Sequence, residues 1–288
     1  MNSKLKMFIS AGFVVLLGGL IGSPAKADTV TPITVGCVGS CGTDAGGNGD
    51  VLPQTGFTSY MYVTTTGGAT GGGTIPVGTP LGTETDGSAL TLAFSTTTAN
   101  SLLQYDFNYI TSDGSGYPDY SWVELESSTG TPLALLFTAE TETSGTISPA
   151  PGLPTPVATL TPSSVPIEPG SGTVCTGLTG GSTGCNTPAG GPVWSELGTY
   201  SGECWATGCG LTGWIQSDYT IAAAGDYELV FGVTNVNDTL YDSGLAIDGV
   251  TINGTPIGTP EPSSLALLGM GMIALVIISR RQKLVQQL

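Results

Sequence analysis

Apolar residues occupy every second position in two segments of the chain, residues 103–109 and 227–233. In the first, four apolar side chains are separated by Gln104, Asp106 and Asn108, so one face is apolar and the other polar. This period of two is typical of a half-buried β-strand. Segments of the same kind predict further strands at 58–63, 89–94, 120–126, 133–139, 214–221 and 245–252. Without a helical pattern between them, they predict an all-β fold, an antiparallel β-sandwich of jelly-roll type.

The composition favours the same fold. The 288 residues include 45 Gly and 19 Pro, which are costly inside helices and common in turns. Residues 28–257 form the predicted β-sandwich domain. Seven prolines lie within residues 149–170, and such a segment is extended and semi-rigid. It is either a linker between two domains or an insertion within one sandwich. We favour the insertion, because the part after residue 170 offers too few strands to bury a core alone.

Both ends of the chain differ from this body. Residues 1–27 have a basic start, an apolar stretch and a small-x-small sequence before Asp28, which is typical of a secretory signal helix. The alternative is a permanent N-terminal anchor, but the apolar run is short. Residues 258–288 contain a second apolar run, 265–278, followed by basic residues. A transmembrane helix of this length spans about 21 Å, less than the roughly 30 Å hydrocarbon core, and is therefore a weak permanent anchor.

The C-terminal segment combines Pro260-Glu261-Pro262, a short apolar helix and the pair Arg280-Arg281. In this order it resembles the PEP-CTERM sorting signal of bacterial exported proteins. The resemblance implies processing by exosortase, a membrane cysteine transpeptidase that cuts near the Pro-Glu-Pro. The protein would then contact the membrane transiently through this helix and reach the cell surface or the extracellular matrix. The alternative is an ordinary single-span anchor, which requires neither a Pro-Glu-Pro nor so short a helix.

Three segments of the body, 107–114, 201–214 and 231–246, resemble sequence blocks in a group of uncharacterised PEP-CTERM β-sandwich proteins. The resemblance covers most of residues 90–252. It implies one sandwich that spans the Pro-rich insertion, and it implies no activity.

Six cysteines form three close pairs along the chain. An exported protein meets oxidising conditions, and an even number of locally spaced cysteines favours disulfides. The alternative is a four-thiolate zinc site, which needs a C-x-x-C-like spacing that these pairs lack. We expect three local disulfides: Cys37–Cys41, Cys175–Cys185 and Cys204–Cys209.

The distribution of charge excludes several classes of function. All but one of the 22 acidic residues lie within residues 28–248, whereas all six basic residues lie in the two terminal segments and there is no His. The body therefore carries a formal charge of about −21 and no side-chain cation. Nucleic acid would be repelled, and His-dependent nucleophilic catalysis, Lys Schiff bases, Arg-clamped phosphoryl transfer and His-based zinc sites are excluded. Divalent ions, neutral glycans and basic surfaces remain as partners.

Calcium is the cofactor that best matches this composition, because hard cations prefer carboxylate and amide oxygens. Two clusters along the sequence qualify: Asp106, Asn108, Asp113 and Asp119, and Asn235, Asn237, Asp238, Asp242 and Asp248. Neither has the spacing of an EF-hand loop. The alternative is that these side chains stabilise turns and solvated strand faces.

Aromatic side chains and paired glutamates support two further hypotheses that involve carbohydrate. Trp122, Trp205 and Trp214 offer stacking surfaces for a glycan, although such aromatics are usually core residues. Glycoside hydrolysis requires only two carboxylates. The candidate pairs are Glu124 with Glu126 and Glu140 with Glu142, each spaced to project from one face of a strand. Such pairs are also common on solvated faces.

From the sequence we expect an exported, non-enzymatic structural or adhesive protein of the cell surface or extracellular matrix, associated with exopolysaccharide. The first alternative is a calcium-dependent carbohydrate-binding module, and the second is a carboxylate-based glycoside hydrolase. The three hypotheses differ in what the folded body must contain: an adhesive surface, a cluster of oxygen ligands beside it, or a pair of accessible carboxylates.

Overall fold

The computed structural model describes residues 35–47, 49–76, 81–114, 116–141, 148–168, 170–172, 174–175 and 190–257. These residues form sixteen strands: β1 (Val35–Val38), β2 (Ser40–Asp44), β3 (Tyr60–Thr64), β4 (Ala69–Thr70), β5 (Glu84–Thr96), β6 (Ser101–Thr111), β7 (Tyr120–Ser127), β8 (Pro132–Glu140), β9 (Thr159–Thr161), β10 (Val174–Cys175), β11 (Glu203–Cys204), β12 (Gly210–Leu211), β13 (Ile215–Ile221), β14 (Gly225–Val236), β15 (Ser243–Ile252) and β16 (Thr255–Pro256). One short 3-10 helix, Ser195–Tyr200, lies between β10 and β11.

Two antiparallel sheets contain most of these strands. Sheet I has the order β1-β5-β14-β7-β8, with β4 paired to β5. Sheet II has the order β2-β3-β15-β6-β13-β9, with β12 paired to β6 and β16 paired to β15. The short strands β10 and β11 form a separate parallel pair. Because β14 and β15 are central and belong to different sheets, the loop that joins them crosses from one sheet to the other.

The core lies between the two sheets and is built by the alternation seen in the sequence. The apolar side chains of β6 point inward from sheet II, and those of β14 point inward from sheet I. Tyr105 and Phe231 meet there edge to face, with ring centroids 5.6 Å apart. Both side chains are fully buried. Burial of such aromatic side chains contributes most of the stabilisation in a two-sheet core.

At one edge the chain passes directly from sheet I to sheet II. Gly39 lies between β1 and β2 with a φ of +76°. A Cβ atom at this position would lie 2.3 Å from Ser88 Oγ, so glycine is required for the crossing. The disulfide Cys37–Cys41 spans the same point, with its Cα atoms 6.1 Å apart. It therefore links the edge strands of the two sheets covalently.

A second apolar layer covers the outer face of sheet I. Trp122 projects from β7 into this layer and packs with Ile75, Ala150 and Leu153. The last two belong to the Pro-rich segment, which also supplies β9 to the edge of sheet II. Leu160 of β9 belongs to the main core. The Pro-rich segment thus packs against both sheets.

The all-β class and the antiparallel sheets are confirmed, and each of the eight predicted strands coincides with an observed one. Alternation failed to predict β1 and β2, because their Gly- and Cys-containing sequences lack a period of two. The jelly-roll topology stays a prediction. Among the described residues, no helix has the length and apolar character needed to cross a membrane. The predicted signal and sorting helices lie outside the described residues.

Removing the ring of Phe231 tests the assignment of the core. Phe231→Ala should lower the free energy of unfolding by about 3–5 kcal/mol, because it leaves a cavity against Tyr105. Leu133→Ala on β8 is the control, since this side chain is 52% exposed and its loss should cost less than about 1 kcal/mol. Urea denaturation measures both variants. Equal losses would contradict the assignment.

Candidate functional site

Two loops meet at one end of the sandwich, which we call the acidic end. The first, residues 112–119, joins β6 to β7, and the second, residues 237–242, joins β14 to β15. They are adjacent because β6 pairs with β15 and β7 pairs with β14. The Ser112 backbone N–H and hydroxyl both donate to the Asp242 carbonyl, at 3.1 and 2.8 Å. This pairing holds the two loops together.

Each loop contributes a buried aspartate to the acidic end. Asp119 is fully buried and accepts hydrogen bonds from the Val236 N–H at 2.9 Å and the Ser243 hydroxyl at 2.8 Å. Asp242 accepts from the hydroxyls of Thr65 and Thr66, at 2.9 and 2.8 Å. Burial raises the pKa of both carboxyls, and the negative charge of Asp113 raises the pKa of Asp119 further.

Two buried oxygen atoms at this end have no hydrogen-bond donor. Asp113 is 1% exposed; its Oδ1 accepts the Gly114 N–H at 2.7 Å, whereas its Oδ2 has no partner. Asn235 is fully buried; its Nδ2 donates to Asp86 Oδ1 at 3.2 Å, whereas its own Oδ1 has no partner. Burial, followed by the negative charge of Asp238, raises the pKa of Asp113 to about 8. A buried acceptor without a donor is costly, so these atoms need a hydrogen-bond donor or a cation.

Four aromatic side chains form a continuous row above the aspartates, which we call the aromatic row. In spatial order they are Tyr117, Trp205, Tyr241 and Tyr200, with successive ring centroids 6.3, 5.0 and 4.7 Å apart. All four are half-buried. Tyr117 comes from the first loop and Tyr241 from the second, so each loop carries one aromatic residue between two aspartates. Tyr241 adopts a φ of +55°, which is uncommon for a residue with a Cβ.

Trp205 is positioned by both covalent and backbone contacts. The disulfide Cys204–Cys209 closes the segment that contains it, with Cα atoms 5.7 Å apart. The backbone N–H of Trp205 donates to the Ser112 carbonyl at 2.9 Å. A Cβ atom at Gly114 would lie 2.5 Å from the Ala206 carbonyl oxygen, so glycine allows this close approach. Two of the three predicted disulfides are thus confirmed. The pair Cys175–Cys185 falls partly outside the described residues.

The structure regroups the predicted calcium ligands. Asp113, Asp119, Asp238 and Asp242 all lie at the acidic end, although they come from both sequence clusters. Asp106 and Asp248 do not join them. They are register partners on β6 and β15, away from the loops. Burial, followed by the charges of Asp248 and Asp218, raises the pKa of Asp106 to about 6.

Within the described residues, no three or more Asp, Glu, Cys or His side chains are already arranged to hold a metal ion.

The structure also corrects the expectation for the tryptophans. Trp122 is 2% exposed and donates its indole N–H to the Gly73 carbonyl at 2.7 Å, so it offers no ring face to a glycan. Trp214 packs edge to face against Tyr60, with centroids 5.9 Å apart. Its N–H donates to the Leu52 carbonyl at 2.8 Å. Of the three predicted stacking residues, Trp205 alone belongs to the aromatic row. Sequence reasoning missed Tyr200 and Tyr241, for which the only signal was the proximity of Tyr241 to Asp238 and Asp242.

The glutamates of the hydrolase hypothesis lie on the outer face of sheet I. Glu124 and Glu126 project from β7, and Glu126 is the register partner of Glu228 on β14. Glu124 is 1% exposed and its Oε2 has no hydrogen-bond partner. Glu140 is also buried and accepts the Gly152 N–H at 2.9 Å. Its predicted partner, Glu142, lies outside the described residues. The second apolar layer covers this part of the sheet.

Comparison with known proteins identifies the C-terminal segment. Residues 259–282 match the family model of the PEP-CTERM protein-sorting motif. The chain carries a PEP-CTERM sorting signal. It is therefore an exported protein that is processed by exosortase and reaches the cell surface or the extracellular space. The residues of this signal, including Pro260, Glu261 and Pro262, lie outside the described part of the structure. The resemblance of the body to other PEP-CTERM sandwich proteins stays a prediction.

The remaining comparisons give no argument about the body. No curated protein matches the chain. Among solved structures, the chain is similar to the crystal structure of the enzymatically active domain of tailspike protein 4 from bacteriophage CBA120, with 10% sequence identity and a TM-score of 0.30. The similarity covers 77% of this chain and 19% of the tailspike chain. A likeness at this level supports neither a fold assignment nor a function.

The buried Glu124 carboxyl predicts a pH dependence of stability. Burial, followed by the negative charge of Glu126, raises the pKa of Glu124 from 4.5 to about 7 in the folded protein. The folded state therefore holds this proton more tightly than the unfolded state does. The contribution of this group to stability is complete below about pH 4.5 and is lost as the pH rises through about 7.

Glu124→Gln should therefore unfold like the wild-type protein near pH 4 and be more stable at pH 8, by roughly 1–3 kcal/mol. Urea denaturation at the two pH values measures the difference. Glu203→Gln on β11 is the control and should show no such gain at pH 8. A Glu124→Gln variant that loses stability at pH 8 would show that the ionised carboxylate is stabilised in the fold.

The sorting signal predicts a specific mature product. In a host that contains exosortase, mass spectrometry of the mature protein should find residues 265–288 missing, because cleavage occurs near Pro260-Glu261-Pro262. The same host without exosortase should retain these residues and serves as the control. If the protein from the exosortase-containing host retains residues 265–288, the prediction is wrong.

Proposed function

We propose that the processed protein is a non-enzymatic structural and adhesive component of the cell surface or extracellular matrix, which binds neutral exopolysaccharide through the aromatic row. The observation that carries this proposal is the continuous contact of four half-buried rings on one loop-built surface. Contiguous aromatic side chains at a surface are more typical of a ligand-binding site than of chance exposure.

The chemistry of the aromatic row suits an uncharged sugar chain. Aromatic faces pack well against the apolar C–H faces of sugar rings, and a row of rings can contact several sugar units in succession. Asp238 lies half-buried at the same end and offers a carboxylate that can accept hydrogen bonds from sugar hydroxyls. The body has no cation with which to attract an acidic polysaccharide, and its own charge repels one. These features favour a neutral glycan.

A calcium-dependent carbohydrate-binding module is the second candidate, and one observation favours it. The aromatic residues Tyr117 and Tyr241 lie on the same two loops that hold the buried aspartates. Any ligand that orders these loops would therefore act directly on the aromatic row.

Glycoside hydrolysis is less well supported by the geometry. A hydrolase needs one carboxylate that reaches the glycosidic oxygen and a second on the opposite side of the sugar. Glu124 is buried beneath the second apolar layer, and Glu126 and Glu228 are its carboxylate neighbours on the same face. The proposed function therefore assigns no catalytic residue.

The aromatic row can be tested by substitution. Trp205→Ala should reduce the affinity of the processed protein for the host's neutral exopolysaccharide at least about tenfold, because it removes the ring that joins Tyr117 to Tyr241. Trp205→Tyr keeps a ring and should retain most of the binding. Affinity electrophoresis with the extracted polysaccharide measures both.

Phe57→Ala is the matched control, since Phe57 is a 44% exposed aromatic residue outside the row. Thermal melts of all three variants separate loss of folding from loss of binding. Wild-type protein that does not bind the polysaccharide, or a Trp205→Ala variant that binds as well as Phe57→Ala, would refute the proposal.

A further inference from the structure

We propose that the acidic end binds a calcium ion beneath the aromatic row, through the side-chain oxygens of Asp113, Asn235 and Asp238. The first reason is the pair of buried acceptor atoms without donors, Asp113 Oδ2 and Asn235 Oδ1. Native proteins leave few such atoms unsatisfied. Both are acceptors, Asp113 on the 112–119 loop and Asn235 near the end of β14, two residues before the 237–242 loop, so the missing group is a donor or a cation.

A proton alone does not resolve this arrangement. Protonation of Asp113 would convert its free oxygen into a donor, but the amide oxygen of Asn235 does not gain a proton near neutral pH. The orientation of this amide is set by its Nδ2, which donates to Asp86 Oδ1 at 3.2 Å. Its Oδ1 therefore points away from Asp86. A cation can satisfy the carboxylate oxygen and the amide oxygen at the same time.

The surrounding charges favour a divalent ion. The negative charge of Asp238 acts on Asp86, Asp113 and Asp119. The chain offers no Lys, Arg or His between residues 26 and 280 to balance these carboxylates. Because the ligand atoms are all oxygen and come from one loop, from the end of β14 and from the loop that follows it, they suit the larger and more flexible coordination of calcium better than the strict octahedron of magnesium.

Asp238 is the ligand expected to move. The described carboxylates do not yet converge closely enough to enclose an ion. Asp113 and Asn235 are fixed by burial, whereas Asp238 is half-buried on the 237–242 loop, next to Asn237 with a φ of +78°. Movement of Asp238 toward Asp113 would shift Tyr241, three residues further along the same loop. Calcium would thereby change how Tyr241 packs within the aromatic row, a consequence that rests on the proposed function, whereas the ion site itself does not.

Thermal melts of the processed protein test the ion site directly. In millimolar calcium chloride the melting temperature should rise by several degrees over that in EDTA at equal ionic strength, because the ion binds the folded state. Magnesium should give a smaller rise. Asp113→Asn and Asp238→Asn should each abolish most of the calcium-dependent rise, and isothermal titration calorimetry with calcium should lose its heat in both variants.

Asp248→Asn is the matched control. It also removes one buried carboxylate, but it does so beside Asp106 and away from the loops, so the calcium-dependent rise should be unchanged. Asp238 is half-buried, which makes Asp238→Asn the variant least able to impair folding. A wild-type protein with the same melting temperature in EDTA and calcium overturns the proposal. An Asp248→Asn variant that loses the rise as fully as Asp113→Asn also overturns it.

Affinity electrophoresis in calcium and in EDTA then separates the two proposals. If calcium raises the affinity for polysaccharide in the wild-type protein and not in Asp113→Asn, the ion acts on the aromatic row. If calcium binds but leaves the affinity unchanged, the ion site stands and its link to the aromatic row is wrong. If calcium binds and no polysaccharide does, the proposed function fails and the ion site stands.

Discussion

Carboxylates in the body of this protein have no side-chain cation to pair with, because no Lys, Arg or His occurs between Lys26 and Arg280. Their negative charge is met instead by neutral donors. Asp119 and Asp242 accept from hydroxyls and backbone N–H groups, and Asp50 accepts two backbone N–H groups at 2.8 Å. A hydrogen bond from a neutral donor to an ionised carboxylate is stronger than one between two neutral groups, but it does not remove the charge. These carboxylates are thus stabilised by oriented dipoles rather than by ion pairs.

This constraint determines where acidic residues can be buried. Free backbone N–H groups are available where strands end, and Ser and Thr are abundant in the loops that follow. Among the described residues, three of the four buried aspartates, Asp113, Asp119 and Asp242, lie at the strand ends where the loops 112–119 and 237–242 meet, whereas Asp248 lies within β15 and accepts the backbone N–H groups of Gln54 and Gly249. The same loops are free to present aromatic side chains on their outer side. The buried aspartates of the acidic end and part of the aromatic row thus arise from the same arrangement of two loops.

The strands could be predicted from the sequence, whereas the site could be predicted only in part. Alternation specifies which face of β6 is apolar, but it does not specify that β6 pairs with β15 in the register that places Asp106 beside Asp248 in mid-strand. It also does not show what covers an outer face. Trp122 lies on the face of β7 opposite the main core, and the segments that bury it, around Ile75 and Ala150, have no periodic pattern. Their role follows from tertiary packing alone.

The last described residue, Ile257, marks where the C-terminal segment leaves the sandwich. β15 begins at the acidic end with Ser243, and β16 folds back on it so that the Ile257 N–H donates to the Val250 carbonyl. Val250 lies about 23 Å along the strand from Ser243. Only two residues separate buried Ile257 from Pro260, a reach of at most about 10 Å. The Pro-Glu-Pro sequence is therefore tied to the sandwich near Val250, well away from Ser243 and the loops that follow β6 and β14, so processing there leaves the aromatic row untouched.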